Sequence, residues 1–313
     1  MSAHPHAIEA GAGAATPAAV SGVPRLRTLA WLLRRELWEN RSLYLGPLVI
    51  AAVIVLGFVV SARHLADRVR DVLSAPLAEQ GPLLFMPLGV AAALLMITGV
   101  PIGAFYCLEA LQGERRDRSI LFWKSLPVSD GMTVLSKALI PMAVMPAILC
   151  ATILATQTLL LAAGGVILLA GDPQAAAAWI RVPMLMLMEA PVMVYGLVTV
   201  SLWYAPLYAW ILLVSGWARR MTLLWVLLPV IVMAIVEKIA FGTSGLLSLV
   251  QYRLVGSYRE AFAPSAQHGG LIDPLTQLEP LRFLATPGLW TGLLAAAGLL
   301  AAAVWQRRRR QPI

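Results

Sequence analysis

Residues 138–171 read ALIPMAVMPAILCATILATQTLLLAAGGVILLAG and hold no Asp, Glu, Lys or Arg in 34 positions. A helix crosses a hydrocarbon core of about 30 Å with about 20 apolar residues. The run is long enough for one span. It is short of the roughly 40 residues plus a turn that two spans need. Pro141, Pro146 and the pair Gly164-Gly165 lie inside it, so the stretch predicts one long, kinked, tilted helix.

Outward from this run, the same absence of charge marks residues 42–62, 80–108, 190–218 and 283–306, of 21, 29, 29 and 24 residues. Residues 221–236 give only 16, but extension to Phe241 through Glu237 and Lys238 gives 21 and can span. Six spans result. Composition agrees: of 313 residues, 59% are hydrophobic and 13% charged, against about 45–50% and about 25% in soluble domains. A soluble fold this apolar would lack a polar surface to show to water. Disorder, collagen, nucleic-acid-binding tails and disulfide scaffolds are excluded by the same figures. The expected fold class is therefore all-α, a polytopic membrane protein with six transmembrane helices and no nucleic-acid partner. Cys107 and Cys150 lie in apolar runs and read as small buried hydrophobes. His4, His6, His64 and His268 have no metal-ligand spacing.

Lys and Arg counts orient the spans. With the N-terminus inside, cytoplasmic segments carry 16 basic residues, including Arg34, Arg35, Arg115, Arg116, Arg118, Lys137 and Arg307, and outer segments carry 7. Both termini are expected in the cytoplasm. Residues 1–23 are mostly Ala, Gly, Pro, Ser and His and read as a mobile tail rather than a secretory signal. Residues 43–306 form the transmembrane domain, and 307–313 a basic cytoplasmic tail.

Two cytoplasmic segments carry more than topology. Residues 24–42 hold PRLRTLAWLLRRELWENRS, with Leu26, Leu29, Ala30, Leu33 and Leu37 on one helical face and Arg27, Trp31, Arg34 and Trp38 on another. Trp and Arg suit the membrane interface, so an amphipathic interfacial helix is expected before the first span. A plain anchor is the competing reading. Residues 112–136 read QGERRDRSILFWKSLPVSDGMTVLS. Glu114, Arg115, Arg116, Asp117 and Arg118 precede the apolar Phe122 and Trp123, Pro127 breaks the helix, and Ser129 or Asp130 caps the next one. A pure topology signal needs no acids, so the mixture reads as a docking surface.

Outside, residues 63–79 keep helical spacing at Leu65, Val69, Val72, Leu73 and Leu77, so the first helix is expected to continue beyond the membrane. In residues 242–282, Leu246, Leu249, Val250, Leu254 and Tyr258 form a stripe that predicts a short helix resting on or re-entering the outer leaflet. Three ionisable groups fall inside spans: Glu189, Glu237 and Lys238. Intramembrane charges mark a pathway or a pair, so these are candidate translocation-path residues, with a Glu189–Lys238 pair between neighbouring helices as one arrangement. No Gly-rich phosphate loop, nucleophile elbow or zinc motif occurs, so no catalytic or metal site is expected.

The stretch ERRDRSILFWKSLPVSDGMTVLSK at 114–137 resembles the first cytoplasmic loop of six-helix exporter-type ABC permeases, the type 2 ABC permease family. The matching features are Glu114, Arg115, Ser119, Ile120, Leu121, the run Ser125 to Ser129, and Lys137 ten residues after Pro127. RRELWENRS at 34–42 resembles that family's amphipathic connecting helix. Ser119 stands where many relatives have Gly. The resemblance implies a membrane subunit of the cytoplasmic (inner) membrane, paired with a second permease copy or a paralogue. It also implies two copies of a separate ABC ATPase that binds ATP and Mg, leaving no cofactor on this chain. Glu114, Arg115, Arg116, Asp117, Arg118, Phe122, Trp123 and Pro127 of the loop, and Arg34, Arg35 and Glu36 of the connecting helix, would receive the ATPase's motion. Two other classes stay open from the residues: an ion-coupled secondary transporter, which would call for more intramembrane carboxylates and a repeated half, and a non-transporting membrane scaffold or sensor.

Overall fold

The computed structural model describes residues 25–116, 128–218, 220–262 and 278–309. No strand occurs among them, and an isolated bridge joins Phe262 to Leu278. Six helical segments are long and apolar enough to cross a membrane: Ser42–Ser74, Leu77–Glu114, Asp130–Gly171, Pro173–Trp217, Thr222–Phe241 and Pro287–Arg309. They match the six runs expected from the sequence. The elements are α1 (Arg25–Glu39), α2 (Ser42–Ser61), α3 (Leu65–Ser74), α4 (Leu77–Ala110), α5 (Gln112–Arg116), α6 (Asp130–Leu139) and α7 (Met145–Gly171). They continue as α8 (Pro173–Trp179), α9 (Val182–Trp217), α10 (Thr222–Phe241), α11 (Gly245–Ala261), α12 (Pro280–Ala285) and α13 (Pro287–Arg309).

Helix α9 is the centre of the bundle and α10 its periphery. Some 61% of the most apolar window of the α8–α9 segment is buried, against 6% for α10. Helix α9 packs chiefly on α13 and α4. Gly81 faces Leu185 and Gly103 faces Tyr208, so α4 and α9 run side by side in the same direction. The largest core holds Leu43, Leu95, Ile140, Ile153, Trp203, Leu212 and Leu289.

The 138–171 run lies within one helical segment, as its length required. Its irregularity is a π turn at Ile140–Val144, between α6 and α7. Pro141 lacks an N–H and its ring crowds the carbonyl four residues back, which loosens the ladder there. The first helix continues beyond its span as expected, through a single 3₁₀ turn at Ala62–His64 into α3. There Leu65 and Val69 turn inward, with Arg70 pairing to Asp67 at 2.7 Å and to Asp172 at 3.1 Å. Leu77, assigned by spacing to the same stripe, instead begins α4 and is exposed, because the chain turns at Ala75 and Pro76. Asp172 also caps α8 by accepting from the N–H groups of Gln174 and Ala175.

These ends form a second core, in which Trp179 donates to the Leu161 carbonyl at 3.0 Å. A Cβ on Gly164 would sit 2.6 Å from Cζ2 of this buried ring. Gly164→Val is therefore expected to cost about 1–3 kcal/mol by overpacking. Thermal unfolding of the purified protein checks this, with Gly171→Val, where a Cβ meets open space, as the comparison.

Candidate functional site

Helix α1 is amphipathic as expected, but the buried face differs. Leu32 and Glu36 are buried, while Leu26 is exposed. The sequence placed Glu36 on a docking surface; the structure places it inside. Its Oε1 lies 2.8 Å from Lys137 Nζ of α6, and its Oε2 accepts from the Tyr106 hydroxyl of α4 at 2.8 Å. Lys137 Nζ is also 3.2 Å from Glu114 Oε1 on α5. Glu114 Oε2 accepts from Arg307 Nη1 of α13 at 2.7 Å, and Arg307 Nε donates to Asp130 Oδ1 of α6 at 2.9 Å. A chain of charges thus runs Glu36–Lys137–Glu114–Arg307–Asp130.

Five elements meet in this network: α1, the end of α4 with α5, both ends of α6, and the end of α13. Side chains of Glu36 and Lys137 are each only 3% exposed. Burial on that scale withdraws charges from water, which is tolerated only when each finds a partner of opposite sign. The basic tail expected from Arg307 accordingly begins inside α13, which runs to Arg309, because Arg307 is needed within the network. Glu114, also expected at the docking surface, is buried too.

Other predicted coupling residues stay at the surface of α1. The Arg34 guanidinium lies over Trp38 and Trp31, at 4.8 and 5.7 Å from the ring centroids. Arg35 Nε donates to Glu39 at 2.7 Å. Arg116 is exposed at the end of α5. Asp117, Arg118, Phe122, Trp123 and Pro127 lie outside the described residues, as does the Arg115 side chain. Ser129 caps α6 by accepting from Met132 N, which leaves Asp130 for Arg307.

The three intramembrane candidates separate. Glu237 sits at the end of α10 and accepts from Thr243 Oγ1 and from the N–H groups of Gly245 and Leu246. A carboxylate there satisfies the free N–H groups that open α11, so Glu237 closes the α10–α11 turn. Gly242 makes that turn in the left-handed region, at φ 67°. Lys238 Nζ donates to the Gly242 carbonyl at 3.3 Å. The expected Glu189–Lys238 pair is not formed. Glu189 instead lines a cavity of about 720 Å³ between α4, α9 and α11.

No family model, no curated protein and no solved structure matches this chain. Among the described residues no group of three or more His, Cys, Asp or Glu is placed to hold a metal ion.

Helix α11 is the short helix expected between the fifth and sixth spans. It packs against α10 and α9, so the chain folds back after the fifth span. Three aromatic side chains of α9 hold it through its backbone. Tyr195 OH donates to Ala261 O at 3.0 Å, Trp203 Nε1 to Arg253 O at 2.9 Å, and Tyr204 OH to Leu254 O. The Arg253 side chain crosses the Trp203 ring at 4.8 Å and donates to the Gly288 carbonyl at the start of α13. Leu249 of the predicted stripe is exposed, Leu254 and Tyr258 line the cavity, and Gly256, Ser257 and Ala261 are buried. Sequence spacing missed Arg253 because a cation was assigned to solvent by default.

Proposed function

We propose that this chain is the membrane-spanning subunit of an ATP-driven ABC exporter. In this reading it lies in the cytoplasmic membrane with both termini inside. Two copies, or one copy and a paralogue, join two separate ATPase subunits that bind ATP and Mg. The observation that carries the reading is the buried network of Glu36, Lys137, Glu114, Arg307 and Asp130. It ties the amphipathic α1, the loop between the second and third spans, and the last helix into one unit at one end of the bundle. A force delivered to that loop is carried to α4, α6 and α13 together, because separating any one of them would strand a buried charge. Neither an ion-coupled transporter nor a plain anchor calls for such a joint beneath the spans.

Helix α4, which enters the network through Tyr106, also forms one wall of the Glu189 cavity. Motion of the cytoplasmic unit is thereby linked to the shape of that cavity through a single helix. In this reading the loop residues Phe122 and Trp123 supply apolar anchors for the ATPase, and Arg115, Arg116 and Arg118 make polar contacts with it.

Pull-down of the ATPase by the tagged chain tests this assembly. Truncation of a buried aromatic anchor typically costs about 2 kcal/mol or more at an interface. Trp123→Ala is therefore expected to weaken capture about thirtyfold while membrane insertion stays normal, since insertion depends on the spans. Capture equal to wild type would remove the loop from the interface.

Topology gives a separate check. Reporter fusions at Ala176 and Gly270 are expected outside, and fusions at Gly131 and after Ile313 inside. Reversal at any of these sites contradicts the orientation drawn from the basic residues.

A further inference from the structure

We infer that the cavity between α4, α9 and α11 binds an amphipathic organic cation, with its positive head at Glu189 and its apolar body along α4 and α9. The binding stands on the cavity alone; its role as exported cargo rests on the exporter reading.

The cavity has a volume of about 720 Å³, within the range of sites for drug-sized ligands, roughly 300–1,000 Å³. Among the described residues Glu189 is the only charged one on its walls. Most of the remainder is aliphatic, aromatic or Met, with Phe85, Met96, Val100, Met193 and Phe262 among them. Along α9 the lining runs from Met186 to Tyr204, and Glu189 lies near one end. Glu189 to Tyr204 spans 15 residues, about 22 Å at the helical rise. The site is thus elongated, with its charge at one end and its apolar wall on the other side.

Glu189 makes no hydrogen bond or ion pair with the described residues, unlike the carboxylates of the network. An ionised carboxylate in apolar surroundings is stabilised by a cation brought to it. A bare metal cation is a poor occupant, since Ca²⁺ takes six to eight oxygens and one carboxylate supplies two. A neutral acyl chain would fill the walls and leave the carboxylate unmet. An organic cation with an apolar body satisfies both features. Methionine at three points of the lining, Met96, Met186 and Met193, suits varied apolar shapes.

The test uses the full chain, purified without any ATPase, in phosphatidylcholine nanodiscs. The probes are radiolabelled tetraphenylphosphonium and tetraphenylborate, a cation and an anion of the same shape. Binding is measured at equilibrium above that of protein-free nanodiscs. Saturable phosphonium binding is expected at one site per chain, with the borate at least about tenfold weaker. Glu189→Gln, nearly isosteric at an unpaired position, should weaken the phosphonium at least about tenfold, as loss of a charged partner does. Glu79→Gln, an exposed carboxylate away from the cavity, should leave it unchanged. Borate binding as tight as phosphonium overturns the proposal on wild-type protein alone. So does a Glu189→Gln affinity within about twofold of wild type. Because no ATPase is present, failure here leaves the exporter reading intact, and failure of ATPase capture leaves this result intact.

Discussion

Lys137→Met is expected to destabilise the protein by about 3–5 kcal/mol, the cost of removing one partner from a buried ion pair. The change leaves volume nearly constant, so packing loss is small. What remains is electrostatic. Glu36 loses its only ion-pair partner among the described residues, at 2.8 Å, and Glu114 loses one at 3.2 Å. Both carboxylates stay buried. Thermal unfolding in detergent reads the effect, and a drop in folded yield in the membrane accompanies it. The double variant Glu36→Gln with Lys137→Met should lose less than the sum of the two single changes, because each single change strands the other's charge. Strict additivity would mean that Glu36 and Lys137 do not act as a pair. Arg35→Ala, which removes a partly exposed i,i+4 pair with Glu39, should cost much less than Lys137→Met.

The second large effect is expected at Trp203→Ala, at about 3–5 kcal/mol. Trp203 is fully buried and makes three contacts with α11. Its Nε1 holds the Arg253 carbonyl, its face carries the Arg253 guanidinium, and its ring meets Tyr252 edge-on at 5.2 Å. The ring thus fixes α11 against α9 while Arg253 reaches α13. Loss of the ring leaves a cavity and frees a buried guanidinium from its cation–π contact, so α11 should detach before the bundle unfolds. Ala261→Cys, fully buried at the end of α11, on a background with Cys107 and Cys150 replaced by Ala, reports this. It should label slowly in wild type and fast in Trp203→Ala. Unchanged labelling would show that α11 is held by α10 and the Glu237 cap instead.

How far the sequence carried these conclusions depends on the range of the forces involved. The six spans were visible because a hydrocarbon core excludes charge from about 20 consecutive residues, a local rule. An irregular third span was visible from its prolines for the same reason, since Pro breaks its own helix, but the π turn at Ile140–Val144 was not. The network was not. Glu36 lies three or four positions from Leu32, Leu33 and Asn40, and helical spacing alone allowed either face. Its partners Tyr106 and Lys137 are 70 and 101 positions away. A carboxylate in the middle of the buried stripe of α1 was the available signal, and it was read as part of a surface. Glu237 and Glu189 show the same limit from the other side. Both are single acids in apolar runs, yet one closes a helix N-terminus eight residues on, and the other faces a cavity lined from four helices, α4, α7, α9 and α11. Only the fold separates a capping acid from a cavity acid.

The exporter reading stands or falls on what accompanies this chain in its membrane. The direct measurement is the intact mass of the complex, isolated from the native membrane through a tag on this chain. The account predicts two permease chains with two ATPase subunits, stable without nucleotide and carrying ATP hydrolysis activity. A particle holding this chain alone, or only copies of it, with no ATPase and no hydrolysis, would contradict it.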